Sequence, residues 1–251
     1  MRRIVMMLLL LCGLTAMAEV KTFAVSKGKI HAVEDASSRF PASLFRSIEP
    51  GERVPRTTWY AGSVNVFIFE FEGSTKRVMI DAGFGEPKGA LLQEMKRAGI
   101  APESISDILI THIHPDHVGG LPAFPAARVH IAKKEYDAWR SDGSRKNLAQ
   151  FLPPPERLVL FEYDTEVVPG VTALEYAGHT PGHTVFRLGK SIFFVGDIVH
   201  AAELQIARPN FCARFDKSPK KAVESRRNAL RFLRGEWFGA HIPFPGRYVN
   251  P

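Results

Sequence analysis

Cysteine is nearly absent: Cys12 and Cys212 are the only two in 251 residues. A scaffold stapled by disulfides is therefore excluded. Consecutive lysines and arginines are equally scarce. The largest basic grouping, Lys217, Lys220, Lys221, Arg226 and Arg227, is spaced as a solvated helix face rather than a nucleic-acid stripe. No internal repeat or low-complexity tract occurs, which removes solenoids and propellers. The one continuous apolar run, residues 4–11, is too short to cross a bilayer, since spanning takes roughly 20 residues.

That run has its own explanation. Arg2 and Arg3 precede it and Ala16-Met17-Ala18 follow, the order of a secretory signal peptide with cleavage expected after Ala18. The chain then divides into a leader, 1–18, and one domain, 19–251, expected in the periplasm or secreted and without a membrane anchor once processed. Cleavage removes Cys12, leaving Cys212 as a packed core thiol. It also removes Arg2 and Arg3 and no acid, lowering the formal charge from +7 to +5. A small basic excess reports solubility rather than a polyanionic partner, so nucleic acid is not expected. A homodimer is left open.

Element signals alternate along the domain. Residues 21–25 read as a strand, and 36–55, rich in Ser, Pro and Gly, as a surface loop. Residues 63–71 and 76–80 read as a hairpin that closes on Asp81-Ala82-Gly83-Phe84-Gly85. Leu91, Leu92, Met95 and Ala98 recur at helical spacing before Gly99. Strands follow over 104–110, 128–131, 158–161, 165–176 and 191–195. Helices are expected over 133–140 and over 218–234 with Ser218 as cap. Pro153-Pro154-Pro155 bars a regular element before 158, and 211–216 reads as a loop.

The chemistry concentrates in Thr111-His112-Ile113-His114-Pro115-Asp116-His117-Val118-Gly119-Gly120. Residues two apart in extended backbone share a side, so His112 and His114 can reach one ion. A turn near Pro115 presents Asp116 and His117 to a second point. Neutral imidazole and carboxylate are the donors that zinc, iron or manganese accept. The glycine pair is expected to supply torsions that only glycine adopts cheaply.

This run resembles the HxHxDH signature of the metallo-β-lactamase fold hydrolases. Further stretches extend the likeness: Gly178-His179-Thr180-Pro181-Gly182-His183-Thr184, the strand ending in Gly196-Asp197, and Ala240-His241-Ile242-Pro243-Phe244-Pro245-Gly246. The resemblance is strongest to the exported methyl parathion hydrolase and lactonase-like branch. It implies a four-layer αββα sandwich, classed α/β or α+β. It also implies two divalent ions, zinc first with iron, manganese or cobalt as alternatives. His112, His114 and His179 would hold one, Asp116, His117 and His241 the other, and Asp197 would bridge them. A carboxylate at the tip of a buried strand is costly unless paired or metal-bound, which agrees with that role for Asp197. Asp81, as a turn residue bonding nearby amides, and His183 would stand behind the ligands. The family's pocket aromatics map onto Phe84, Trp139 and Phe151.

The reaction implied is hydrolysis by a metal-bridging hydroxide, without a nucleophilic side chain, with Asp116 and Asp197 as the catalytic carboxylates. The target would be an ester, lactone or phosphotriester. Family members usually continue past the Pro245-Gly246 turn into a segment beside the pocket, whereas this chain ends at Pro251; an ester or lactone is the native substrate expected. Rival readings on the same ligands are a mononuclear iron persulfide dioxygenase and a non-catalytic metal-binding protein.

Overall fold

The computed structural model describes residues 19–251; the expected leader lies outside the described residues. In chain order the elements are β1 (Val20–Val25), β2 (Gly28–Pro41), β3 (Phe45–Ser47), β4 (Trp59–Phe71), β5 (Arg77–Ile80), α1 (Leu91–Arg97) and β6 (Ile105–Ile110). Then come α2 (Pro115–Val118), β7 (Arg128–Ala132), α3 (Lys133–Ser141), β8 (Leu158–Phe161), β9 (Glu166–Val168), β10 (Val171–Glu175) and β11 (Thr184–Leu188). The chain closes with β12 (Ile192–Gly196), α4 (Ala202–Gln205), β13 (Phe211–Ala213), α5 (Pro219–Phe232), β14 (Gly235–Gly239) and β15 (Arg247–Asn250).

One sheet runs β1-β2-β4-β5-β6-β7-β8 and the other β15-β14-β12-β11-β10-β9. Both are mixed. The β5–β6–β7–β8 block and the β12–β14 pair are parallel, and the other pairs are antiparallel. Alternation along the strands builds the layers. In β4, Phe67 and Phe69 face the second sheet, meeting Phe186, Phe194 and Phe238. Val66 and Ile68 face outward with Leu91, Met95 and Trp139 of α1 and α3. In β12, Phe194 points inward while Phe193 and Val195 pack with Ala229 and Leu233 beside α5. Each fully buried phenylalanine contributes on the order of 2 kcal/mol. The four layers are the expected αββα sandwich.

Three local expectations fail. Residues 36–41 are not loop: after a bulge between Glu34 and Ala36, β2 continues and pairs with residues 59–64. Serine-rich composition hid an alternation that turns Phe40 inward. Residues 211–213 pair with β3 as a two-stranded ribbon, where buried Cys212 is held by Sγ donating to the Arg46 carbonyl (3.3 Å). Ser218 does precede α5, but its side chain makes no capping bond. Its carbonyl takes Ala222 N–H (2.8 Å) and its own N–H goes to Gly178 O (2.9 Å).

The carboxyl ends of β5, β6, β10, β12 and β14 lead directly into the loops carrying Asp81, His112, His179, Asp197 and His241. Strand carboxyl ends are where open α/β sheets place ligands.

Candidate metal centre

The loop after β6 is pinned from both sides. Asp81, in a left-handed conformation (φ 59°), accepts Thr111 N–H at Oδ1 (2.8 Å), and Thr111 O accepts Thr184 N–H (2.9 Å). Pro115 then opens the one-turn helix α2, bringing Asp116 and His117 round. Gly119 and Gly120 do not supply unusual torsions, contrary to expectation: φ is −60° and −83°. Close approach requires them. A Cβ at Gly119 would lie 2.1 Å from Phe84 O, and one at Gly120 2.0 Å from Ala82 O.

The seven expected donors converge in two groups. In the first, His114 Nδ1 lies 2.9 Å from His112 Nε2 and 3.0 Å from His179 Nε2. His179 Nε2 is also 3.2 Å from both His112 Nε2 and Asp197 Oδ2. In the second, His241 Nε2 is 3.4 Å from Asp116 Oδ2, and His117 Nε2 is 3.8 Å from that oxygen. Asp197 stands between the groups, with Oδ1 3.2 Å from His117 Nε2 and Oδ2 3.3 Å from His241 Nε2.

Whether these atoms suit cations follows from where the outer ring nitrogens go. His117 Nδ1 donates to Asp81 Oδ2 (2.8 Å), His179 Nδ1 to Asp216 Oδ1 (2.9 Å) and His241 Nδ1 to Ser63 O (2.9 Å). His112 Nδ1 donates to Thr111 Oγ1 (3.1 Å), whose own hydrogen goes to Asp81. With the protons outside, four buried Nε2 lone pairs and the Asp197 carboxylate face one another. Among the described residues, His117 Nε2 and Asp197 Oδ1 have no hydrogen-bond partner. Facing acceptors repel unless a cation lies between them, and ligand separations near 3.3 Å are those of tetrahedral corners about 2.0 Å from a shared centre. The residues fit divalent metal.

The electrostatics show a demand for positive charge at the centre. Burial pushes the Asp197 carboxyl up, but His241, His117, His112 and His200, where their rings carry charge, outweigh it and hold Asp197 well below its ordinary range. Against the downward pull of burial, Asp197 in turn lifts His117, His179 and His241. Burial, with His179 adding to it, pushes the His183 imidazole down to about 3. Neutral His183 accepts Asp197 N–H at Nε2 (3.0 Å), so it fixes the Asp197 backbone from behind the cluster. Asp81 likewise stands behind His117.

Over the cluster lies a cavity of about 380 Å³ lined by Ser38, Phe40, Val64, Phe84 and Phe215 beside the metal donors. Of the three expected pocket aromatics only Phe84 is there. Trp139 is buried in the core between α3 and the first sheet, because it lies on the helix's inner face. Phe151 lines a separate apolar cavity of about 230 Å³ with Leu91, Leu92 and Phe124. Phe40 and Phe215 take their place, both from segments read as loop.

Sequence reasoning also missed three polar groups. His200 Nε2 is 3.1 Å from Asp197 Oδ2 and its ring stacks on His241 (5.2 Å). Its position three residues after Asp197 was the available signal. Asp216 orients His179 across a separation that no local motif marks. Buried Glu135 of α3 accepts Ile113 N–H (2.9 Å) and Gly182 N–H (3.0 Å), clamping the two metal loops together.

Comparison with known proteins agrees with this geometry. An N-acyl homoserine lactonase from a Bacillus species is 39% identical over 89 residues, 36% of this chain and 35% of that protein. Metallo-beta-lactamase domain-containing protein 1 of Xenopus laevis is 29% identical over 131 residues, 50% of each chain. The chain thus spans about a third to a half of the curated relatives it matches. A structure of the hydrolase AbOPH, of the beta lactamase superfamily, superposes with a TM-score of 0.78 at 27% identity over 92% of both chains. AidC, a dizinc quorum-quenching lactonase in complex with a product, gives 0.81 at 21% identity over 92% of this chain and 93% of that one, a likeness of fold. Residues 59–241, most of the chain and all seven expected donors, match the Metallo-beta-lactamase superfamily, and the chain belongs to that superfamily.

Proposed function

We propose that the protein is an exported hydrolase that holds two divalent ions, zinc by preference, and opens a lactone or carboxylic ester, with a phosphotriester as a third candidate. The observation that carries the two-ion reading is Asp197, whose carboxylate lies against donors of both groups: Oδ2 is 3.2 Å from His179 Nε2 and 3.3 Å from His241 Nε2, and Oδ1 is 3.2 Å from His117 Nε2. Relatives named as lactonases support the substrate class.

His112, His114 and His179 would hold one ion, Asp116, His117 and His241 the other, with Asp197 shared. Bound there, the ions would supply a water acidified to near neutral pH and Lewis acidity toward the scissile group. The chain does the rest. Asp81, Asp216, Thr111 and Ser63 fix the ligand tautomers, so every Nε2 lone pair is presented without rearrangement. Asp116 is the least buried donor of its group and lines the cavity, a position from which its carboxylate can accept a proton at the open face. Phe40, Phe84 and Phe215 wall the reacting bond from bulk water and favour an apolar acyl or alcohol part.

Elemental analysis of the purified protein, followed by turnover on a panel of lactones, aryl esters and phosphotriesters, tests the reading. Two equivalents of metal and hydrolysis lost in Asp116→Ala are expected. One iron per chain with oxygen consumption, or two metals with no turnover across the panel, would overturn it.

A further inference from the structure

The cavity over the metal donors does not stop at Phe215. A second cavity of about 570 Å³ shares His114, Pro115 and Phe215 with it, and its far wall carries Asn147, Arg214 and Lys217. Phe215 forms the bridge: its ring stands edge-on to His200 (4.8 Å) and His179 (5.8 Å), yet 39% of the residue is exposed. A molecule whose reacting bond sits at the metal donors can therefore run over an aromatic face toward the far wall.

The charges on that wall are unequal. Asp216 is engaged by His179 Nδ1 and by Ala213 N–H (2.8 Å). Lys217 Nζ reaches Asp142 Oδ2 (3.1 Å). The Arg214 guanidinium, by contrast, makes no hydrogen bond or ion pair among the described residues. Only its backbone is tied, through N–H to Leu44 O (2.8 Å). Asp216 and Lys217 are each balanced, which leaves Arg214 as the wall's uncompensated charge. A guanidinium offers a planar fork of donors matched to a carboxylate.

Resting on the hydrolase reading above, we infer that the preferred substrate is an ester or lactone with a carboxylate remote from the cleaved bond. Arg214 receives that carboxylate and Phe215 covers the apolar part between. The contact lies at a wet rim, so its effect is steering plus a modest gain in affinity, about tenfold in kcat/KM and weakened by salt.

The test uses the metal-loaded full chain and two esters of equal length, 4-nitrophenyl hexanoate and mono-4-nitrophenyl adipate. The adipate ester should be favoured, its advantage should shrink as NaCl is raised, and Arg214→Glu should lower the adipate-to-hexanoate ratio of kcat/KM roughly tenfold. An unchanged ratio in Arg214→Glu, with folding verified by circular dichroism, overturns the inference while leaving the hydrolase reading intact. Calorimetry with adipate and hexanoate themselves reads Arg214 without turnover. Adipate should bind more tightly, and the difference should vanish in the variant. Equal binding by the native protein overturns the inference even if neither ester is cleaved.

Discussion

Strand β6 carries histidine–aspartate chemistry at both ends, and the two ends behave differently. At its start, Asp107 Oδ1 is met by His130 Nε2 (2.8 Å) and by Arg128 (2.8 Å), while Oδ2 accepts the Ser106 hydroxyl (2.8 Å). Both oxygens of the Asp107 carboxylate meet donors there, and the carboxylate is held by protons alone. At its finish, the hydrogens of the imidazoles are drawn outward to Asp81, Asp216, Thr111 and Ser63, and lone pairs are left facing inward. Histidine beside aspartate is therefore not what marks a metal site. The mark is an excess of convergent acceptors over the protons available to join them.

The most severe way to break this contrast is Asp197→Ala, which removes the acceptor common to both groups. Turnover should fall on the order of 10³-fold or more, and elemental analysis should show metal lost from both positions rather than one. Retention of two equivalents would mean that Asp197 is not shared. Next comes Asp216→Ala, which frees His179 Nδ1 without touching a donor atom. Outer partners of this kind are worth roughly 10–100-fold in metal affinity. Chelator competition should show that loss confined to one of the two ions; an unchanged affinity would make Asp216 a fold residue only.

The parts of this centre that could be read from the sequence are those that share a local motif. His112 through His117 declare themselves because two-residue spacing and a proline turn are local geometry. His179, Asp197 and His241 were legible through flanking runs that resemble a known family. The outer partners were not: Asp216 and Glu135 act through contacts across 37 and 47 residues, and an isolated acid carries no sign of what it will meet. The same holds for Phe40, turned inward by a bulge in β2 that its serine-rich surroundings concealed. Trp139 failed in the opposite sense, since a tryptophan beside a suspected pocket and one on the inner face of a helix look alike until the helix is placed against a sheet.

Gly120→Ala sharpens the comparison by disturbing the metal loop through its backbone alone. A methyl group 2.0 Å from Ala82 O must push the loop away from the Asp81 turn, costing about 1–3 kcal/mol or more. Because Ala82 N–H also bonds His117 O (2.8 Å), denaturant midpoint and metal affinity should fall together. Lost stability with unchanged metal affinity would show that the loop's position is not what holds His117.

The smallest effect on turnover is expected at the other end of β6. Burial raises the Asp107 pKa, but His130, Ser106 and Arg128 together hold it below the ordinary value. A depressed carboxyl stabilises the fold above its unfolded pKa, and that contribution is lost as pH falls through the folded value. Asp107→Asn should therefore cost about 1–3 kcal/mol at pH 7, and the gap to the native protein should close as both are acidified below about pH 4. Metal content and kcat/KM should stay within about twofold of native, since the Asp107 carboxylate is satisfied by its own neighbours and lies at the far end of the strand. A gap that widened in acid would reverse the sign assigned to Asp107. A loss of metal in Asp107→Asn would mean that the two ends of β6 are coupled, and that strand position, rather than the count of unprotonated acceptors, governs the centre.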